Sequence, residues 1–414
     1  FTERVDQLES QVLQLQTRLA LRDLFQYAAK PQPSLSKLIA VEQYPLILIL
    51  EDLHWADEAS LALLEYILEQ TDDDLPLLFC LVFREERAKP IWSIWHDMQY
   101  LYRRAQSINL EELEDAASEA LLYNLLGVQL PDPIRQKILN ATDGNPLYVE
   151  EVIQNLIDTQ IIQRDGKHYR LLKQNVEQIN IPSTLKQIIQ SRIDELEFSD
   201  LGAREVLWLA SAIGRQFTRE MLIAIYTELG GERTDCLKHL RHLEAVEMIQ
   251  GPKLDREMEI DAEFMYHFRH DMVRQTAYEN MLAKKSRRYH RYIAEWLECT
   301  HRENLSPYYS DLAYHYDQAQ VWEKALIYYW HIGKYEAQSY ANVEAMAHLQ
   351  RAVDLTAQVD RVNPNLQAHI HFELGKVLIT VGRFDDAVTH LEEAYQLFAD
   401  SSQPSAALDQ VRVC

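Results

Sequence analysis

The stretch Leu46–Asp57, LILILEDLHWAD, gathers residue types that could do phosphate chemistry at the end of an apolar run. Leu46 to Leu50 are all aliphatic and run into adjacent acids, Glu51 and Asp52, followed by His54, Trp55 and Asp57. A continuous apolar run of this length fits a strand buried on both faces of a parallel sheet. Ligands of such sheets bind beyond the carboxyl ends of the strands. Two carboxylates at that tip can hold Mg²⁺, directly or through water, and can orient a water for attack on a nucleoside triphosphate. An apolar run with two acids is common at strand ends, whereas the full string with His54, Trp55 and Asp57 is much more specific.

The surrounding pattern supplies the elements such a tip needs. A helix is predicted to about Gln70, then a second buried strand over Leu77–Phe83. Strand, helix, strand without alternation reads as α/β. Both apolar runs fall well short of the ~20 residues of a membrane helix. Upstream, residues 2–30 read as one helix with Val5, Leu8, Val12, Leu15 and Leu19 spaced by three and four. That seam could pair in a coiled coil. With few opposite charges flanking it, an amphipathic helix packed on its own domain is the preferred reading. Pro31-Gln32-Pro33-Ser34 ends it, and a short helix is expected before Leu46.

Downstream the pattern turns helical. One helix is expected to open near Glu111, and another after Pro131-Asp132-Pro133 that ends at Asp143-Gly144-Asn145-Pro146, where a third begins. Ile161–Arg164 and Lys167–Leu171 flank Asp165-Gly166 as a hairpin. Residues 181–290 read as helices with a β-wing over Met248–Gln250 and Met258–Phe268, a winged-helix pattern. Residues 306–400 read as degenerate helical repeats. The clearest unit carries Leu374, Gly375, Gly382, Phe384, Ala387, Leu391 and Ala394 where a tetratricopeptide repeat places its packing residues. Tyr316, Trp322, Ala325 and Tyr329 mark an earlier unit, and Ala345, Leu349, Ala352 and Leu355 another, at uneven spacing.

Composition narrows the function classes. The 414 residues suit two to four domains, and the formal charge of −23 argues against tight nucleic-acid or anionic-membrane binding. Lys284-Lys285-Ser286-Arg287-Arg288 is expected to be a solvated helix face. Cys80, Cys236, Cys299 and Cys414 lie far apart with no CxxC pair, which favours reduced thiols in a cytosol. His239 and His242 are expected to be half-exposed histidines on a helix. No Ser, Cys or His sits in a nucleophile-elbow context, so acyl-transfer hydrolysis is unsupported.

At Leu46–Asp57 the chain resembles the STAND class of P-loop ATPases. The closest likeness is to the ATPase–repeat modules that accompany class III adenylyl cyclase domains, and sometimes protein kinases or LuxR-type regulators. Further segments carry the resemblance in the family's order across about residues 42–400. Leu81-Val82-Phe83-Arg84 resembles the next core strand with its sensor arginine, and Gly144-Asn145-Pro146-Leu147 resembles the lid's glycine-x-proline segment. Ile181–Leu185 and Ser191–Leu196 resemble the start of the winged helix, and Phe268-Arg269-His270 its closing segment. Trp322-Glu323-Lys324-Ala325-Leu326 resembles the start of the repeats.

The resemblance implies roles for single residues. Glu51 and Asp52 would hold Mg²⁺ and orient water, Glu51 standing where the family more often has Asp. Arg84 would reach the γ-phosphate, although a surface pairing with Glu85 or Glu86 is the competing reading. Asn145 and Pro146 would border the adenine pocket, and Pro146 would also start a helix. His270 would touch the ADP phosphate, or else be a satisfied core histidine. The HxxH of His267 and His270 is explained by that segment without zinc. The implied fold class is a partial α/β P-loop ATPase core (32–109) behind the amphipathic helix (1–31). A helical lid (110–180), a winged helix (181–295) and TPR-like repeats (296–414) follow, helix-dominated overall.

One departure from the family limits these roles. No GxxxxGK[ST] occurs in the chain, and Lys30 and Lys37 have no glycine-rich loop before them. Without that nest of N–H groups a triphosphate loses most of its cradle. Either the chain starts downstream of the loop, the preferred expectation, or the protein has lost it. The sequence therefore points to a cytoplasmic regulatory module switched by ATP or ADP with Mg²⁺ and coupled to an output domain, an adenylyl cyclase first. Protein partners are expected through the repeats, and this chain by itself is expected to hold little or no nucleotide. The alternatives are a nucleotide-independent interaction scaffold and a fragment of a LuxR-like transcription regulator.

Overall fold

A computed structural model describes residues 10–29, 46–70, 76–101, 105–128, 130–165, 168–171, 181–252, 264–339 and 341–400. Val5, Leu8, Pro31–Ser34, the short helix expected before Leu46, Met258 and Cys414 lie outside the described residues. The protein is helix-dominated, and none of the described helices is long and apolar enough to cross a membrane. It divides into two compact units. Residues 1–109, 330–354 and 362–414 make one, and residues 110–329 with 355–361 the other.

In the first unit, α1 (Ser10–Ala29) lies against α2 (Glu58–Gln70), with the Arg18 guanidinium 5.8 Å from the Tyr66 ring centroid. Leu15 of the heptad seam stays exposed. Strands β1 (Leu46–Leu50) and β2 (Leu77–Leu81) pair in parallel, with Leu46 opposite Leu77 and Leu50 opposite Leu81. The expectation of burial on both faces does not hold here, because Ile47, Ile49 and Leu78 are more than half exposed. Both faces of a parallel sheet are buried only when layers cover each of them. Helix α3 (Pro90–Leu101) follows β2.

The second unit opens with an extended segment, and helix α4 begins at Asp115, not near Glu111. The Leu113 N–H donates to the Gly144 carbonyl at 2.8 Å, so the chain before α4 is engaged in a turn-to-turn contact. Helix α4 (Asp115–Leu126), α5 (Asp132–Thr142) and α6 (Pro146–Asp158) bury a shared core that includes Leu122, Leu126, Ile138, Val149, Val152 and Leu156. Gly144 is required where it stands. Its φ is +70°, and an added Cβ would lie 2.3 Å from the Leu113 carbonyl oxygen. Gly144→Ala is therefore expected to cost about 1–3 kcal/mol, read as a lowered urea midpoint.

The expected hairpin forms between β3 (Ile162–Asp165) and β4 (His168–Leu171). Then come α7 (Leu185–Ser199), α8 (Leu201–Ile213), β5 (Gln216–Thr218), α9 (Arg219–Glu228) and α10 (Arg233–Ala245). Strands β6 (Ile249–Gln250) and β7 (Met265–Phe268) complete a three-stranded antiparallel sheet in the order β5-β7-β6. The β5 strand is absent from the sequence reading, since three residues are too few to show a period. His239 is buried on α10, contrary to expectation, with Nδ1 2.9 Å from Asp200 Oδ2. Gly202 makes that possible, for a Cβ there would lie 2.1 Å from His239 Nε2.

Helix α11 (Asp271–Glu279) and the long α12 (Ala283–Thr300) lead to α13 (Tyr309–Gln318). Lys284, Arg287 and Arg288 face solvent on α12, whereas Lys285 pairs with Glu205. The repeats follow as α14 (Trp322–Gln338), α15 (Asn342–Thr356), α16 (Pro364–Thr380) and α17 (Phe384–Asp400). Two of these hairpins share their packing positions. Gly333 faces Leu349 and the Ala345 carbonyl, and Gly375 faces Leu391 and the Ala387 carbonyl, each position 42 residues after its counterpart. In both hairpins the missing Cβ lets two helices approach closely.

Candidate functional site

The acid-tipped strand lies in the first unit. Parallel pairing sends β1 and β2 out of the sheet side by side. The Val82 N–H donates to the Leu50 carbonyl at 2.8 Å, and the Leu53 N–H to the Val82 carbonyl at 3.2 Å. Glu51-Asp52 and Arg84 thus leave neighbouring carboxyl ends. Asp52 has φ +57° and ψ +30°, the left-handed region, and the short 3₁₀ turn Leu53–Trp55 starts directly after it. A non-glycine residue there stores backbone strain, a feature that collects at functional sites. Glu51 and Arg84 are exposed. Glu85 pairs at 3.8 Å with Arg87.

The rest of the string divides between support and an unexplained group. Asp57 caps α2, accepting from the Ser60 N–H at 2.7 Å and the Ser60 hydroxyl at 3.0 Å, so its role is structural. Trp55 is exposed, and Lys89 Nζ lies 4.5 Å from its ring centroid. His54 is 4 % exposed, and neither ring nitrogen has a hydrogen-bond partner among the described residues. Buried polar atoms are nearly always satisfied, so His54 is the group at this tip that calls for a ligand or a further contact. The sequence reading used His54 only as part of the string. Its place two residues after Asp52 is the signal that could have raised it.

Asn145, Pro146 and His270 lie in the second unit. Asn145 caps α6, its Oδ1 accepting from the Tyr148 N–H at 3.1 Å, and Pro146 is the first helical residue. The Tyr148 hydroxyl donates to the Pro182 carbonyl at 2.6 Å, tying the start of α6 to the segment before α7. His270 precedes α11 and is half-buried, and its buried Nε2 has no hydrogen-bond partner among the described residues. Burial lowers its pKa, opposed by the Glu151 carboxylate. Neutral His270 therefore keeps one nitrogen able to donate to or accept from a ligand.

Next to it lies a buried ion network with no signature in the sequence. Arg192 donates to Glu151 at 2.5 Å, to Asp158 at 2.9 Å and to the Val246 carbonyl. It joins α6, α7 and the end of α10. The partners are 34 to 54 residues apart in sequence, so no local spacing reports them.

No family model matches the chain. The chain is 25% identical over 367 residues to an uncharacterized protein of Rhizobium meliloti (strain 1021), covering 84% of this chain and 32% of that protein. It therefore spans about a third of that relative's length. Among solved structures it is similar to a Signal Transduction ATPase with Numerous Domains (STAND) protein with a tetratricopeptide repeat sensor from Pyrococcus horikoshii. Identity there is 14% and the TM-score 0.38, over 86% of this chain and 50% of that one.

Proposed function

We propose that the chain is a regulatory ATPase module of the STAND class, a switch that responds to ATP or ADP with Mg²⁺ and passes its state to an attached output domain. By the resemblance that domain is an adenylyl cyclase and the setting cytoplasmic. The observation that carries the reading is the pair of parallel strands whose adjoining ends bear Glu51, Asp52 and Arg84, with Asp52 in a strained backbone. These residues suit the Mg²⁺ and γ-phosphate side of a nucleotide, and the nitrogens of His54 and His270 that have no hydrogen-bond partner among the described residues suit polar ligands. The phosphate cradle has no counterpart in the sequence.

Within this reading Mg²⁺·ATP supplies the hydrolysable phosphoanhydride. Glu51 and Asp52 would hold the ion and orient water, and Arg84 would meet the γ-phosphate. In the second unit His270 would touch the ADP phosphate, and slow hydrolysis would reset the state.

The test uses the protein translated from the complete reading frame. It is expected to hydrolyse Mg²⁺·ATP, with Asp52→Asn lowering kcat about 100-fold or more at unchanged helical circular dichroism. This chain alone is expected to show no turnover. Hydrolysis by the full protein that ignores Asp52→Asn would overturn the assignment. So would tight Mg²⁺·ATP binding and turnover by this chain alone. A second reading, an interaction scaffold that needs no nucleotide, is favoured by the apolar residues Phe384, Val388 and Tyr395 exposed along α17. A full protein that neither binds nor hydrolyses nucleotide would select it.

A further inference from the structure

The last two helices of the repeats bring three metal-ligating side chains to one point. His371 on α16 is buried, while His390 and Glu393 stand at i and i+3 on α17, the first half-buried and the second exposed. His371 Nδ1 lies 2.9 Å from His390 Nδ1 and 2.9 Å from Glu393 Oε2, and all three ligand atoms fall within 4.8 Å of one another. Two neutral imidazoles and a carboxylate at these distances have at most one proton to share between two acceptors. If His371 Nδ1 carries it, both neighbours compete for it. If His390 carries it, the His371 lone pair faces the carboxylate. A cation at that point satisfies all three lone pairs at once.

We infer that His371, His390 and Glu393 form a binding site for one divalent transition-metal cation of the Zn²⁺ type. Two imidazoles and one carboxylate are a donor set for Zn²⁺ and its borderline neighbours, with water completing the shell on the exposed side. Four-coordinate Zn²⁺ with ligands at ~2.0–2.1 Å keeps them about 3.3 Å apart, so the observed contacts need to open by only a few tenths of an ångström. His390 and Glu393 lie on the accessible side and can make that adjustment.

The repeat supplies its own control. Forty-two residues earlier, where Gly333, Ala345 and Leu349 repeat the packing of Gly375, Ala387 and Leu391, the three equivalent positions hold Tyr329, His348 and Arg351. There His348 pairs with Glu336 at 2.7 Å. A hairpin of this construction therefore packs without the triad, and the cluster at His371 is not a requirement of the fold. A bound ion would clamp α16 to α17 and make the rigidity of this hairpin depend on metal, independently of any nucleotide.

Titration of the full chain with Co²⁺ is expected to give the visible absorption of a four- or five-coordinate site with about one ion per chain, displaced by Zn²⁺. Amide exchange in α16 and α17 is expected to slow when Zn²⁺ is added. His371 is buried and its replacement could unfold the hairpin, so the variants are His390→Gln and Glu393→Gln. Each is expected to weaken binding at least tenfold and abolish the exchange effect, with the circular dichroism of the metal-free chain unchanged. Absence of the absorption band overturns the proposal. So does binding that persists unchanged in the double variant, which would place the ion on other histidines.

Discussion

Arg192→Ala is expected to destabilise the second unit by about 3–5 kcal/mol, the largest effect of any single substitution considered for this protein. Arg192 is 3 % exposed, and its guanidinium satisfies Glu151, Asp158 and the Val246 carbonyl together. Truncation leaves the buried Glu151 carboxylate and the Val246 carbonyl without this donor and Asp158 with only Gln154. Burial already raises the pKa of Asp158, with Arg192 pulling it down. Without the guanidinium the Asp158 carboxyl should rise further. A carboxyl raised in the folded state binds more protons there than in the unfolded chain, so stability falls as pH climbs above its ordinary value. The deficit of Arg192→Ala should accordingly be greatest at pH 7 and shrink towards pH 5. Arg192→Lys keeps the charge but cannot span the fork, and should restore only part of the loss. Urea midpoints of the three proteins at both pH values measure this. Midpoints for Arg192→Ala equal to the parent at pH 7 would mean the network adds no stability.

A second large effect is a loss of stability on the acid side, arising between α12 and α13. His290 and His315 are buried, with their Nδ1 atoms 2.8 Å apart, and His290 Nε2 lies 2.8 Å from the Tyr278 hydroxyl. Burial lowers His290 to about 4 and His315 to about 3, the latter also through repulsion by His290. Neutral rings can share one N–H between the two Nδ1 atoms; a second proton would set donor against donor. Because the folded values are depressed, the unfolded chain binds more protons between about pH 6.5 and the folded values. Stability is therefore whole above pH 6.5 and falls as pH drops below it, by about 2 kcal/mol per ring at pH 5. Amide exchange in α12 and α13 should quicken across this window. The double variant His290→Gln with His315→Gln should flatten the dependence, and an equally steep loss in that variant would assign it to other groups.

The network and the histidine pair share a trait with what the sequence missed elsewhere. Each depends on residues that meet only after helices pack. The strand β1, helix α2 and strand β2 were legible from an apolar run, a helical period and a second run. The helix start at Pro146 was legible from the residue type that suits the first helical position. Gly375 with Leu391 was legible as repeat packing, and the matching role of Gly333 against Leu349 emerged only with both hairpins in place.

Other features had no local signal. The three residues of β5 are too few to carry a period, and the extended chain before α4 depends on a hydrogen bond to Gly144. His239 was expected to be half-exposed on its helix, while Gly202 on another helix makes the space that buries it.

By itself, then, the sequence determined the acid-tipped strand, its parallel partner and the succession of helical elements, because strand and helix periods and turn residues act within a few positions. Only the tertiary structure decided that Asp52 takes a left-handed backbone, that His54 is buried without a hydrogen-bond partner among the described residues and that Arg192 holds three elements together. It likewise decided that His371 meets His390 and Glu393. Those outcomes depend on the distance between side chains far apart in the chain, and close packing, not local propensity, sets that distance.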